Sequence, residues 1–194
     1  MSLVFSMAAF ALAASITPGP VNIVALSSGA RFGLRSSMRH VTGATLGFVG
    51  LLVLIGLGLH ELLRQWPILT QGIRLFGVAF LLFMAWKLAS DDGRLDTQDQ
   101  ARAPSAWYGA LMQWLNPKAW LACVAGMGAF AADGELRQVW LFTAVYLVIC
   151  YLSIACWAYV GSCLRHYLSH PAGVRLFNRS MAALLAASAA YLLF

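Results

Sequence analysis

"SITPGPVNIV", residues 15–24, interrupts the first apolar run of the chain, where a membrane-spanning helix is expected. Two prolines and a glycine within four residues are the poorest helix formers available. A segment in lipid must satisfy its own backbone hydrogen bonds, so a break here marks backbone set aside for another purpose. Pro18 and Pro20 donate no N–H, which frees carbonyls one turn earlier, around Ala14 to Ile16. Those oxygens suit an ammonium group or a cation. Gly19 lets the backbone leave helical geometry and permits close approach by a ligand. The N–H groups after the break form the positive end of a half-helix, which suits a carboxylate. Asn22 adds a donor and acceptors beside it.

That the surroundings are membrane follows from composition. Hydrophobic residues make up 61% of the 194 and charged residues 10%, with mean hydropathy +0.75. A soluble domain carries about 25% charge, so this chain cannot cover a globular surface. The apolar runs are continuous rather than alternating, which predicts helices and not an outer-membrane barrel. No Lys or Arg precedes Arg31, so the first run lacks the charged start of a signal peptide and reads as a retained span. Six stretches reach the roughly 17–25 residues a spanning helix needs: about 3–28, 41–60, 69–88, 109–132, 138–162 and 174–194. Arg74 and Lys87, and Arg175 and Arg179, lie near the ends of the third and sixth, where they snorkel to the headgroups. Residues 90–105 form the one substantial hydrophilic loop.

The net charge of +6 is clustered between apolar runs, which speaks for membrane orientation and not for nucleic acid. Nine basic residues follow spans one, three and five (Arg31, Arg35, Arg39; Lys87, Arg94, Arg102; Arg165, Arg175, Arg179). Three occupy the opposite side (Arg64, Arg74, Arg137). The excess places the first group in the cytoplasm and both termini outside. Arg31, Arg35 and Arg39 also fall at i, i+4, i+8 on one helical stripe. That stripe reads as a headgroup anchor or as an electrostatic guide for an anionic or zwitterionic solute.

The second half echoes the first. "WLNPKAW", residues 114–120, breaks the fourth span as "TPGPVN" breaks the first, and "RLF" recurs at Arg74 and Arg175. The chain therefore reads as one membrane domain over 1–194: a repeat over about 1–90, the loop, and a repeat over about 106–194. Units of three spans are necessarily inverted, and interrupted helices at matching places point to a transporter's binding site. Prolines in membrane helices are also ordinary kinks; two breaks at symmetric places favour a site. Asn116 and Lys118 flank Pro117, and Lys118 is the one charge between Ala103 and Ala132. An intramembrane ammonium is expensive unless used, and this one suits a substrate carboxylate. The competing placement sets Lys118 at the cytoplasmic interface, with "SAWYGALMQWL" lying along the surface.

None of the seven acidic residues falls mid-span, so carboxylate proton relays and carboxylate cation cages lack their ligands. His40 and His60 read as interfacial residues at opposite ends of span two. Cys123, Cys150, Cys156 and Cys163 lack paired zinc-site spacing and read as small hydrophobes. Gly43 and Gly47, four apart, predict close helix packing, within the chain or across a homo-oligomer interface.

"TPGPVN" at Thr17–Asn22, "SSGARFGLRSSMRHVTGATLGF" at Ser27–Phe48 and "NPKAW" at Asn116–Trp120 together resemble the LysE/RhtB superfamily of bacterial amino-acid exporters. The likeness runs in order along nearly the whole chain, and the Ser27–Phe48 block is its most specific part. It implies a multi-pass protein of the bacterial cytoplasmic (inner) membrane that exports amino acids or close derivatives. It also implies drive by the proton motive force, with no bound cofactor. The likeness extends to the cysteine/O-acetylserine and the homoserine/threonine branches. Val21 stands where the family often carries Asn, which leaves Asn22 as the polar candidate. The sequence thus predicts an all-α integral membrane protein of six transmembrane helices in two inverted three-helix repeats, with helices one and four broken. Its expected substrates are small, mainly neutral amino acids. They are bound by Thr17, Pro18, Gly19, Pro20 and Asn22 from one break and Asn116, Pro117 and Lys118 from the other. Two other readings compete. A cadmium or manganese exporter of the same fold would need convergent cysteines. An intramembrane enzyme would need a base beside a nucleophile such as Ser27 or Ser153.

Overall fold

The computed structural model describes residues 3–59, 103–131, 135–164 and 171–193, with scattered positions between 68 and 90. Among these every regular element is helical. The third expected span, with Arg74 and Lys87, and most of the hydrophilic loop lie largely outside the described residues, as does His60.

The opening stretch does break its helix. Helix α1 (Leu3–Ile16) and helix α2 (Pro20–Phe32) are bent by 62° across Thr17–Gly19. Pro20 stands in the first turn of α2, where its missing N–H removes nothing the helix would use. Gly19 is extended, with φ −161° and ψ 175°, a conformation open to any residue. The expectation that its glycine serves backbone freedom is therefore corrected; what it provides is space, as shown below.

Helix α2 runs four residues beyond the expected end of span one, and α3 (Leu34–Leu54) follows after Gly33 alone. Gly33 holds φ 80° and ψ 167°, a region essentially reserved for glycine. The turn separates Arg31 from Arg35 and Arg39, so the three do not form one helical stripe. They are exposed on either side of a corner. Helix α3 continues into a wide turn over Ile55–Leu59. Helix α4 (Ala106–Trp114) is capped by Ser105, whose Oγ accepts from Tyr108 N at 3.1 Å. Helix α5 (Pro117–Phe130) follows a two-residue break and again has its proline in the first turn. Helix α6 (Leu136–Leu164) has 29 residues, about 43 Å at 1.5 Å per residue, more than a bilayer's hydrocarbon thickness. Helix α7 (Pro171–Leu193) closes the described chain.

Among the described residues two helices are long and apolar enough to cross a membrane, and a third span results if α1 and α2 count as one. Their packing depends on small residues. A Cβ added to Gly43 would stand 1.8 Å from Ala106 O, and one on Gly47 2.6 Å from Ala110 Cα. The α3 and α4 backbones thus touch, and the expected glycine pair packs inside the chain. Helices α2 and α6 meet the same way through Gly29 against Ala158 O and Gly161 against Leu26 O, each at 2.0 Å. Helix α4 is therefore held against α3, with Trp114 Nε1 donating to Gly47 O at 3.1 Å.

Candidate functional site

The two breaks meet. Lys118, in the first turn of α5, donates from Nζ to Thr17 O at 2.7 Å and to Pro18 O at 3.4 Å. Asn22, in the first turn of α2, donates from Nδ2 back to Ser15 O and Thr17 O, both at 2.9 Å. Trp157 of α6 donates from Nε1 to Ile16 O at 3.0 Å, and Thr17 Oγ1 donates to Ala13 O. Carbonyls that a break leaves without helical partners need others, and here side chains from three helices supply them. This corrects, for Ser15 O and Ile16 O, the expectation that the freed oxygens around Ala14 to Ile16 lie open to a substrate's ammonium. Ser15 and Ile16, within that patch, are already taken, and the protein's own ammonium occupies the next two.

What stays open is the other end of the break. Gly19 offers no side chain to cap α2, which leaves the N–H groups of Val21 and Asn22 at the helix's positive end. A Cβ on Gly19 would lie 3.5 Å from Lys118 Cδ and 3.6 Å from Nζ, so the glycine keeps room beside the ammonium. The matching end of α5 is closed. Asn116 Oδ1 accepts from Lys118 N at 3.2 Å, and its backbone oxygen accepts from Ala119 N at 2.9 Å. Asn116 Nδ2 donates to Gln113 Oε1 at 3.3 Å. Sequence placed Asn116 as a substrate contact; in the fold it also caps α5 and holds Gln113.

A cavity of about 40 Å³ lies between the breaks, room for about three waters. Gly19, Asn22, Asn116 and Lys118 line it, while Thr17, Pro18, Pro20 and Pro117 shape the breaks without lining it. Sequence reading missed Ser15, Gln113 and the wall formed by Phe48, Tyr146, Cys150 and Ile154. The Phe48 and Tyr146 rings stack at 4.4 Å. Gln113 carried a signal, as an uncharged polar residue buried one turn before the break. The wall carried none, because apolar residues in a membrane helix look alike wherever they face.

His40 is wholly buried and places Nε2 3.3 Å from Val21 O. The expectation of an interfacial histidine is overturned because the α2–α3 corner and α4 enclose it. Ser27 Oγ has no hydrogen-bond partner, so no base engages that nucleophile candidate. Among the described residues no three of His, Cys, Asp and Glu gather as metal ligands.

A broken apolar helix thus sets its positive end beside a half-buried ammonium at a small cavity. The LysE type translocator family model matches residues 12–194. The chain belongs to that family. This LysE-type chain is 28% identical over 162 residues to the cysteine/O-acetylserine efflux protein of Klebsiella pneumoniae subsp. pneumoniae, covering 82% of each chain. It is 29% identical over 154 residues to the protein of that name from Escherichia coli K12, covering 78% of each. A third such efflux protein, from Salmonella choleraesuis, is 26% identical over 163 residues and 83% of each. No solved structure matches the translocator.

Proposed function

We propose that this chain is a secondary transporter, not an enzyme, which exports small, mainly neutral amino acids or their derivatives from the cytoplasm across the inner membrane. The observation that carries the reading is the Lys118 ammonium, held on Thr17 O and Pro18 O beside the uncapped start of α2. Two of its three protons are used there, and the third, with the N–H groups of Val21 and Asn22, suits a carboxylate. Asn22 spends both amide protons on the break, so its Oδ1 remains as an acceptor for an ammonium. Gln113 Oε1 is a second. A zwitterion with a short side chain fits such a set. The efflux proteins similar to this chain support that substrate class, and the resemblance implies coupling to the proton motive force.

Alternating access by two inverted three-helix repeats is part of the same proposal. Each broken helix packs on the long helix of the other half, α1 and α2 on α6 and α4 on α3, as a pair related by a two-fold axis would. Efflux of labelled L-cysteine and O-acetyl-L-serine from proteoliposomes tests the reading. Lys118→Ala is expected to weaken apparent affinity about tenfold or more, the worth of a charge-assisted hydrogen bond. A Lys118→Ala chain exporting at the unaltered rate and affinity would remove the lysine from the site.

A further inference from the structure

We propose that Gln113 is a substrate-binding residue whose amide nitrogen donates to the carboxylate of the transported amino acid, aimed there by Asn116. The proposal rests on the transport reading above and deepens it. Gln113 lies in the last turn of α4, where it is buried and lines the cavity. An amide has a donor at one end and an acceptor at the other, so its use depends on which way it is turned. Here a chain of partners turns it. The backbone N–H of Lys118 can only donate, so the atom of Asn116 that meets it at 3.2 Å is Oδ1. The other end of that amide, Nδ2, can only donate, so the atom of Gln113 facing it at 3.3 Å is Oε1. Nε2 is then the free end of Gln113.

The protein leaves that end unused. No acceptor among the described residues takes its protons, and the nitrogen keeps accessible surface. Unspent N–H groups on a buried residue cost free energy unless water or a ligand takes them. The backbone fixes the residue as well, since Gln113 O accepts from Asn116 N at 3.1 Å. Lys118 lines the same cavity, and Asn116 joins it to Gln113. A carboxylate has two oxygens, and the ammonium and the amide suit one each. None of the lining residues carries a carboxylate of its own to compete for these donors. Capping α5 needs only Oδ1 of Asn116, so the bond from Nδ2 to Gln113 serves the orientation of the amide.

The test is counterflow of labelled L-serine at pH 7 by the full chain in proteoliposomes, with ethanolamine as competitor. Ethanolamine is serine without its carboxylate and keeps the ammonium and the hydroxyl. Gln113→Met keeps the length of the side chain and removes the amide. It is expected to raise the half-saturating concentration of serine about tenfold or more, the worth of one hydrogen bond to a charged group. Inhibition by ethanolamine is expected to stay unchanged, which also shows the fold intact. Gln113→Glu keeps the acceptor for Asn116 Nδ2 and puts a negative charge where the donor stood. It is expected to weaken serine further and to strengthen ethanolamine. A serine-to-ethanolamine ratio that both variants leave unaltered overturns the proposal, whether neither ligand weakens or both weaken equally; the transport reading then still stands. A native chain that carries out no counterflow overturns the transport reading and the Gln113 role with it.

Discussion

At the scale of single residues the break is a set of backbone oxygens matched one by one to side-chain donors. Asn22 carries the largest share, since one amide holds Ser15 O and Thr17 O together. Leucine at this position has similar bulk but no donor, so Asn22→Leu orphans Ser15 O and leaves Thr17 O to Lys118 alone. The expected cost is about 2 kcal/mol or more of stability, read as a lowered thermal unfolding midpoint in detergent. Asn22→Leu unfolding at the native temperature would show that water or another group serves those oxygens. The importance of Asn22 was legible, because an amide beside two prolines in an apolar run has few ordinary uses. Its partner atoms were not, since the seven-residue reach back to Ser15 exists only once the chain turns by 62°. For Lys118 the residue was legible and the contact was not. The ammonium that sequence reserved for a substrate carboxylate is also tied to carbonyls a hundred residues earlier.

At the scale of elements, two helix pairs rest on backbone contact at glycines, and one helix supplies its own control. Gly43 and Gly50 both lie in α3. A Cβ on Gly43 meets Ala106 O at 1.8 Å, whereas one on Gly50 meets nothing within 4 Å. Gly43→Ala must therefore push α4 away and is expected to cost about 3 kcal/mol. Gly50→Ala is expected to be neutral or to stabilise by about 0.5–1 kcal/mol through helix propensity. Thermal unfolding of the two variants side by side checks this, and equal behaviour would refute the close α3–α4 packing. The Gly43–Gly47 pattern was readable as a small-residue stripe; which helix it received was not, because any helix with small residues would fit it.

For the whole molecule, the count of basic residues predicts an orientation that can be tested. Both termini are expected on the outer face and the 90–105 loop in the cytoplasm. An alkaline phosphatase fused after Phe194 should be active, and a fluorescent protein there dark, with the reverse for fusions within the loop. A fluorescent C-terminal fusion would reject the topology. Helix α6 is the element on which this architecture depends, since α1, α2 and α3 all pack along it. It also supplies Trp157 to one break and Tyr146, Cys150 and Ile154 to the cavity wall. Its sequence reads as a plain apolar span, so its part in the site follows from packing alone.

By itself the sequence determined the solvent, the helical class, the places where helices break and the residues worth testing there. Each of these follows from local chemistry: too few charges for water, no backbone outlet in lipid except helix, and proline without an N–H. Only the tertiary structure decided what the breaks do to one another. It brought Lys118 onto Thr17 and Pro18 and enclosed His40. It split the arginine stripe at Gly33 and tied the carbonyls of the first break to Asn22 and Trp157. These are contacts between segments far apart in the chain, and an apolar membrane sequence does not encode which face of a helix meets which neighbour. Small residues and a few polar atoms select among many similar packings, and their partners become definite only when the helices have come together.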